Sequence, residues 1–231
     1  MPVSHFSQFL EDLSDDPLYV LSPSIDLKDY CFIDLSVSNK ALESVDTSSS
    51  ISLENYIEAY KFKNSAKVAY GGYLETRNIY QRSSYFTTSK ADAQRNIHLG
   101  LDLWIEAGTA IFAPLDAEIH SFKNNTNHGD YGPTIILKHH IAGIEFYTLY
   151  GHLSLASLKG KAVGQPIKKG DTIATLGTAE VNGDYAPHLH FQIIKDMEGH
   201  IGDYPGVSNK NDVEHYKSNC PDPNVLLKIG V

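Results

Sequence analysis

The chain of 231 residues has few cysteines, no long apolar run and no excess of basic residues. Its 2 cysteines, Cys31 and Cys220, form no C-x-x-C motif, so we expect no thiolate metal site. Two free thiols are the more economical interpretation, and a single disulfide is the alternative. No segment approaches the roughly 18 apolar residues of a membrane-spanning helix. With 19 basic and 28 acidic residues, the net charge of −9 argues against nucleic acids and anionic membranes as main partners.

The beginning of the chain has none of the features of a secretion signal. Residues 1–6 contain no basic region followed by an apolar run, and acidic side chains follow at Glu11 and Asp12. As written, the chain is therefore expected to be cytoplasmic. A different start or a removed leader would instead make it periplasmic or secreted.

The chain is predicted to divide near residue 65. Its length and its apolar share of 42% are typical of a globular protein with one large β domain and a smaller addition. Residues 1–65 form the predicted N-terminal extension, which is partly helical and carries no functional motif. It is expected to contain an amphipathic helix over 4–13, a short strand over 30–37, and a helix that Ser52 caps and that ends near Lys61.

Residues 66–231 are predicted to form the main domain, with a C-terminal extension from about residue 195. Short β-rich runs alternate here with turn residues, which predicts a mainly-β fold with an antiparallel sandwich or barrel-like sheet. The turn at Cys220–Asn224 is expected to lead into a strand or coil. The predicted strands are 109–113, 117–122, 134–140, 145–150, 172–176 and 188–194.

Two short segments place candidate metal ligands on one face of a strand. Alternate residues of a strand point the same way, so His98 and Asp102 share a face, and Gly100 leaves room between them. His188 and His190 likewise share a face. Two neutral imidazoles and one carboxylate, with a fourth position open for water, form a common catalytic zinc shell.

Neither pattern is specific by itself, because the chain has 11 histidines and an isolated histidine is usually structural or exposed. The two patterns together, each backed by an apolar face, favour a metal site. Gln192 falls on the same strand face as His190. His139 and His140 are adjacent on a predicted strand, so they face opposite ways and cannot both join the site.

Four motifs over about residues 70–195 resemble, in order, those of the lysostaphin/LytM family of zinc metallopeptidases. They are His98–Asp102 with Ala107–Thr109 and Ala113–Pro114, Tyr150–Ser154, Val163–Gln165 with Lys168–Asp171, and Ala186–Phe191. Glu75–Arg77 and Ile79–Tyr80 are similar to the segment that precedes the first motif in many members. The resemblance implies a mainly-β metallopeptidase domain of the duplicated hybrid motif type. The chain departs from the family at Asn124–Tyr131, Ala179–Tyr185 and 195–231, which bears on the substrate more than on the metal.

The same resemblance implies one Zn²⁺ per chain, with His98, Asp102 and His190 as ligands. It also implies that His152 and His188 are catalytic histidines that do not bind the metal. Zinc lowers the pKa of its bound water to about 7. We assign His188 as the general base, because it lies two residues from the ligand His190. His152 is assigned to the oxyanion or the leaving amine, and the exchanged assignment fits the sequence equally.

Three further residues are predicted to line a substrate groove: Tyr80, Arg77 and Trp104. The favoured function is a zinc-dependent metalloendopeptidase that hydrolyses peptide bonds, with peptidoglycan-type peptides among the candidate substrates. Two alternatives stay open. One is a binding or regulatory module that keeps the metal without catalysis, and the other is a zinc hydrolase of a non-peptide amide. All five ligand and catalytic positions carry the implied residue types, which favours the enzyme.

Overall fold

The computed structural model describes residues 5–84, 86 and 93–230, and most of its regular structure is β-strand. The strands are β1 (Tyr30–Phe32), β2 (Val68–Gly71), β3 (Ile97–His98), β4 (Leu101–Trp104), β5 (Ala110–Phe112), β6 (Ala117–Asn125), β7 (Gly132–Ile141), β8 (Ile144–Gly151), β9 (Pro166–Ile167), β10 (Thr172–Thr175), β11 (His188–Ile194) and β12 (Val207–Ser208). The α-helices are α1 (His5–Glu11), α2 (Ser50–Lys63), α3 (Val213–Asn219) and α4 (Asn224–Leu227). The predicted mainly-β class with a small helical N-terminal part is confirmed.

Eight strands form one large sheet in the order β1-β2-β4-β11-β8-β7-β6-β9. β1 and β2 pair in parallel, and all other neighbours in this sheet pair antiparallel. The sheet is therefore mixed rather than purely antiparallel, because the N-terminal segment adds a parallel edge strand. Two small sheets pair β5 with β10 and β3 with β12. Among the described residues the large sheet stays open, with β1 and β9 as its edges.

The longest strands, β6 to β8, form an antiparallel meander. Ala142 and Gly143 connect β7 to β8, and their φ angles of 51° and 80° both lie in the left-handed region. Two consecutive residues of this kind make the tight turn whose twist matches that of a hairpin. The turn fixes the register in which Ile141 lies opposite Ile144.

The main core lies between one face of the large sheet and the β5/β10 ribbon. Leu189 and Phe191 of β11 pack in one cluster with Ile111 of β5 and Ile173 of β10. Side chains alternate along a strand, so His190, between Leu189 and Phe191, points to the opposite face. The apolar residues of β11 thus fix which face of the sheet carries the histidines.

Parts of both terminal segments pack on that opposite face. Trp104 of β4 lies in a buried cluster with Ile33 and Leu53 from the N-terminal segment. Leu149 of β8 lies in another with Cys220 from the C-terminal segment. The division of the chain near residue 65 stays a prediction, and β1 shows that the N-terminal segment contributes to the main sheet.

Two predicted boundaries in the N-terminal segment were wrong. α2 begins at Ser50, and its N-cap is Ser49 rather than Ser52, because the Ser49 hydroxyl accepts the Ser52 amide hydrogen at 3.3 Å. The strand predicted over 30–37 ends at Phe32. Asp34 Oδ1 accepts the Ser36 amide hydrogen at 2.8 Å, and this local bond turns the chain.

The C-terminal tail is helical rather than strand or coil, which corrects another prediction. α3 precedes Cys220, and α4 follows Pro223. Pro223 has a φ of −62°, a value that its ring sets and that suits the start of a helix. Leu226 and Leu227 are buried on the body of the protein, and this packing holds the short helix in place.

Both cysteines are free, in agreement with the prediction of two free thiols rather than one disulfide. Cys31 is partly exposed on β1, and Cys220 is buried. Within the described part of the chain, the helices are too short or too polar to cross a membrane.

Candidate metal centre and catalytic cavity

The first pair of candidate ligands comes from two strands rather than one. The prediction of a continuous strand over His98 to Asp102 is wrong, because β3 ends at His98 and β4 begins at Leu101. Asp102 lies opposite His190 of β11. The break falls at Gly100, where a Cβ atom would lie 2.5 Å from the His190 ring. Only glycine lets the chain pass this close to the imidazole.

Three atoms of the candidate ligands converge behind this break. His98 Nε2 lies 2.8 Å from His190 Nδ1, and each of these nitrogens lies 3.2 Å from Asp102 Oδ1. Ligands at zinc–nitrogen bond lengths in a tetrahedral shell are about 3.3 Å apart, so the three atoms have nearly the spacing that zinc requires. All three side chains are buried, and they are the group in the described residues that could hold a metal ion.

Hydrogen-bond partners on the far side of each ring fix where the hydrogens lie. His98 Nδ1 donates to Gly72 O at 3.0 Å, and His190 Nε2 donates to Gln192 Oε1 at 2.9 Å. Because both partners are oxygens that accept, the facing nitrogens carry no hydrogen in the neutral rings. Two lone pairs and the Asp102 carboxylate therefore point at one another. A cation stabilises this arrangement, so the residues fit a zinc ion.

The second oxygen of Asp102 belongs to a chain of ion pairs. Arg77 Nη1 donates to Asp102 Oδ2 at 2.6 Å, and Arg77 Nε donates to Glu75. Glu75 Oε1 in turn accepts the Leu35 amide hydrogen at 3.0 Å. Burial opposes ionisation of Asp102, but the positive charge that His98 carries when protonated and the guanidinium of Arg77 hold the pKa of this carboxyl well below its usual range. Asp102 is thus a carboxylate with Oδ1 directed at the candidate metal position.

The two histidines without a ligand role lie beside the centre with the same tautomer. His152 Nδ1 donates to Asn182 O, and His188 Nδ1 donates to Ala186 O, each at 2.7 Å. Each ring therefore presents a hydrogen-free Nε2. Burial lowers the pKa of both imidazoles below the ordinary histidine value, so both are neutral at pH 7. Their ring centres lie 4.2 Å apart.

His152 is held in a strained backbone conformation. Its φ of 60° lies in the left-handed region, which is uncommon for a residue with a side chain. Its amide hydrogen goes to Tyr131 O and its carbonyl accepts from Gly177 N, both at 2.9 Å. Strain of this kind persists where the surroundings impose it, and it concentrates at functional sites.

These residues line a cavity of about 370 Å³. The predicted groove residues Tyr80, Arg77 and Trp104 all line it. Trp104 stacks on His188, with ring centres 5.7 Å apart and planes 24° apart. Val37 and other residues of the N-terminal segment line the cavity as well.

His139 and His140 do not line this cavity. His139 is buried in the core, where its Nδ1 donates to Asp116 O at 3.0 Å and its Nε2 accepts from the Thr148 hydroxyl at 2.8 Å. His140 is exposed. The two neighbours face opposite ways, as strand parity requires.

Three residues around the centre had no role in the sequence prediction. Gln192 had a usable signal, since its parity with His190 places both on one face. Glu75 lies in a segment that the family resemblance covers and pairs locally with Arg77, but its link through Arg77 to Asp102 depends on tertiary structure. Tyr131, whose hydroxyl lies 3.4 Å from His190 Nε2, belongs to a loop that departs from the family pattern.

Residues 96–201 match the model of peptidase family M23. No curated protein matches the chain significantly. The catalytic domain of lysostaphin from Staphylococcus simulans is 24% identical, with 53% of this chain and 80% of that chain covered at a TM-score of 0.37. The catalytic domain of the EnpA protein from Enterococcus faecalis is 19% identical, with 50% of this chain and 78% of that chain covered at a TM-score of 0.37. A zinc-containing peptidase from Vibrio cholerae is 24% identical, with 47% of this chain and 30% of that chain covered at a TM-score of 0.34.

Proposed function

We propose that the chain is a metalloendopeptidase that hydrolyses peptide bonds with one bound zinc ion, a proposal supported by the match of residues 96–201 to the model of peptidase family M23. The observation that carries the proposal is the convergence of three hydrogen-free acceptor atoms beside two neutral histidines in one cavity. Peptides derived from peptidoglycan are the proposed substrate class. A zinc ion held by His98, Asp102 and His190 would supply Lewis-acid activation of water and of the scissile carbonyl.

We assign proton transfer to the two other histidines. His188 Nε2 lies 3.7 Å from Asp102 Oδ1, so the carboxylate stabilises the imidazolium that forms when His188 accepts a proton from water. His152 Nε2, which is hydrogen-free in the neutral ring, can also accept a proton; once protonated, it can donate to the developing oxyanion or return the proton to the leaving amine. Trp104 holds the His188 ring by stacking, and the carbonyls of Asn182 and Ala186 keep both rings in the tautomer that can accept a proton.

Metal content and peptide hydrolysis test this proposal together. We expect about one zinc per purified chain, and we expect His190→Ala to lose it because one of three ligands is gone. His152→Ala should keep zinc and lose peptide hydrolysis by at least about 100-fold. His140→Ala removes an exposed histidine outside the cavity and should change neither quantity.

Two results would contradict the proposal. One is a parent protein that neither contains zinc nor takes it up on titration. The other is a zinc-loaded His152→Ala variant with normal turnover. Zinc binding without hydrolysis of any peptide would favour the non-catalytic module.

The size of the cavity favours a second candidate, a zinc hydrolase of a small non-peptide amide. A volume of about 370 Å³ is at the lower end of the range for small-molecule sites. Residues of both terminal segments enclose it, among them Val37 and Tyr204. A comparison of hydrolysis rates for a short peptide, a long peptide and a simple amide distinguishes the two candidates.

A further inference from the structure

Gln192 is a fully buried primary amide in the middle of the large sheet. It lies on β11 two residues after His190, on the same face, and opposite Leu149 of β8. A buried amide is costly unless its hydrogens and its oxygen all find partners. The partners of Gln192 therefore determine which way its side chain can lie.

The amide nitrogen of Gln192 faces the C-terminal extension. It donates to Pro205 O at 3.1 Å and to Cys220 Sγ at 3.2 Å. A carbonyl oxygen can only accept, so a flipped amide would place two oxygens against each other at Pro205. The extension thus directs the other end of the amide, Oε1, toward His190.

The amide oxygen in turn decides the tautomer of His190. Oε1 lies 2.9 Å from His190 Nε2, so the ring hydrogen stays on Nε2 and leaves Nδ1 free. Without this acceptor, Nε2 keeps only the more distant Tyr131 hydroxyl at 3.4 Å, and a hydrogen on Nδ1 would point at His98 Nε2, 2.8 Å away, and Asp102 Oδ1, 3.2 Å away. The two candidate ligands would then hydrogen-bond to each other and close the position that a metal needs.

We propose that Gln192 is a positioning residue, and that the C-terminal extension, through Pro205 and Cys220, holds it so that His190 presents a hydrogen-free Nδ1 to the metal. This inference rests on the proposed zinc site and assigns the extension a part in it. Gln192 contacts neither the metal position nor a substrate in this arrangement. Its effect passes entirely through the imidazole of His190.

The test compares Gln192→Met, which keeps the length of the side chain and removes the acceptor, with Asn125→Leu. Asn125 is a buried amide on β6 that donates to Thr134 Oγ1 and Gly202 O and touches no candidate ligand. Zinc affinity of the metal-free proteins is measured by competition with a coloured chelator. We expect Gln192→Met to bind zinc about 10- to 100-fold more weakly than the parent and Asn125→Leu to match the parent.

A second measurement reads the tautomer directly and needs neither metal nor activity. Nitrogen-15 NMR of the metal-free chain distinguishes a protonated ring nitrogen from an unprotonated one. The parent should show His190 with its hydrogen on Nε2, and Gln192→Met should move the hydrogen wholly or partly to Nδ1.

The outcomes separate the inference from the proposed function. Tight zinc binding by the parent and by Gln192→Met alike would overturn the inference and leave the peptidase proposal intact. An unchanged His190 tautomer in Gln192→Met would also overturn it, whatever the zinc result. Loss of zinc affinity in Gln192→Met, together with a His190 hydrogen moved to Nδ1, supports the inference. A parent that binds no zinc overturns the proposed function and, with it, the metal-positioning role of Gln192.

Discussion

Two ligands of the candidate centre are held by contacts of opposite kinds. Asp102 is fixed by charge, through the buried pairs of Arg77 with Asp102 and with Glu75. On the C-terminal side, His190 is fixed by the neutral amide of Gln192. The charged support, Arg77 with Glu75, sets the position of a carboxylate oxygen. The neutral C-terminal support, the Gln192 amide with Pro205 and Cys220, sets the position of a hydrogen.

The difference lies in what each support needs to remain stable. A buried ion pair that loses one member leaves an uncompensated charge, so the charged support works only as a complete set. A neutral amide that loses one of two acceptors keeps the other, so the C-terminal support should tolerate partial loss. The predictions below test this contrast.

Removal of Arg77 should have the largest effect on stability. Arg77→Met leaves the carboxylates of Asp102 and Glu75 buried without their cation, so the free energy of unfolding should fall by about 3–5 kcal/mol. Urea denaturation of the metal-free protein measures it. The double variant Arg77→Met/Glu75→Gln removes one of the stranded charges and should recover part of the loss. A fall below about 1 kcal/mol would mean that water already compensates these carboxylates.

His139 provides a comparison with a buried histidine that is not part of the site. Like His98, it donates Nδ1–H to a backbone carbonyl, but its Nε2 meets the Thr148 hydroxyl, which donates to it. No lone pair is left over for a cation. Fixing a tautomer therefore creates a metal site only where the freed nitrogens face other acceptors.

The titration of His139 should appear in the pH dependence of the free energy of unfolding. Burial lowers the pKa of His139 from 6.5 to about 4. Below pH 6.5, His139 binds a proton in the unfolded chain but stays neutral in the folded one. The contribution of His139 to the free energy of unfolding is therefore complete above pH 6.5 and is lost as the pH falls toward 4, by about 3 kcal/mol in total.

Urea denaturation at pH 7 and pH 4.5 of the parent and of His139→Gln measures this loss. The parent should lose more stability than the variant between the two values. Saturating zinc at pH 7 should leave the difference between the two proteins unchanged, because His139 has no part in the site. Equal losses in both proteins would show that His139 is not the titrating group.

The shared face of the candidate residues on β11 could be predicted from the sequence because strand parity is local, whereas the roles of the ligands and of His152 were implied by the family resemblance. His188, His190 and Gln192 alternate with apolar residues, and this pattern alone places them on one face. The break at Gly100 could not be predicted in the same way. It is imposed by the His190 ring, which comes from a strand 90 residues later along the chain.

Neither support of the centre could be predicted from sequence patterns, for a related reason. The Arg77–Asp102 pair and the Gln192 contacts with Pro205 and Cys220 join segments that meet only in the folded protein. The role of Gln192 depends on the orientation of an amide, which its partners determine and its own sequence position does not. Local periodicity predicts which way a side chain points, and tertiary contacts decide what it does there.

The smallest effect is expected from Cys220→Ala, which removes one of the two acceptors of the Gln192 amide. Burial raises the pKa of the Cys220 thiol to about 12, so the sulfur is a neutral and weak acceptor at pH 7. Pro205 O keeps the amide oriented, so zinc affinity should change by less than about threefold, while the free energy of unfolding falls by about 1 kcal/mol. Cys31→Ala, on β1 and away from Gln192, is the control for cysteine removal. A tenfold loss of zinc affinity in Cys220→Ala alone would mean that the amide needs both acceptors. The neutral support would then depend on a complete set of partners, as the charged one does.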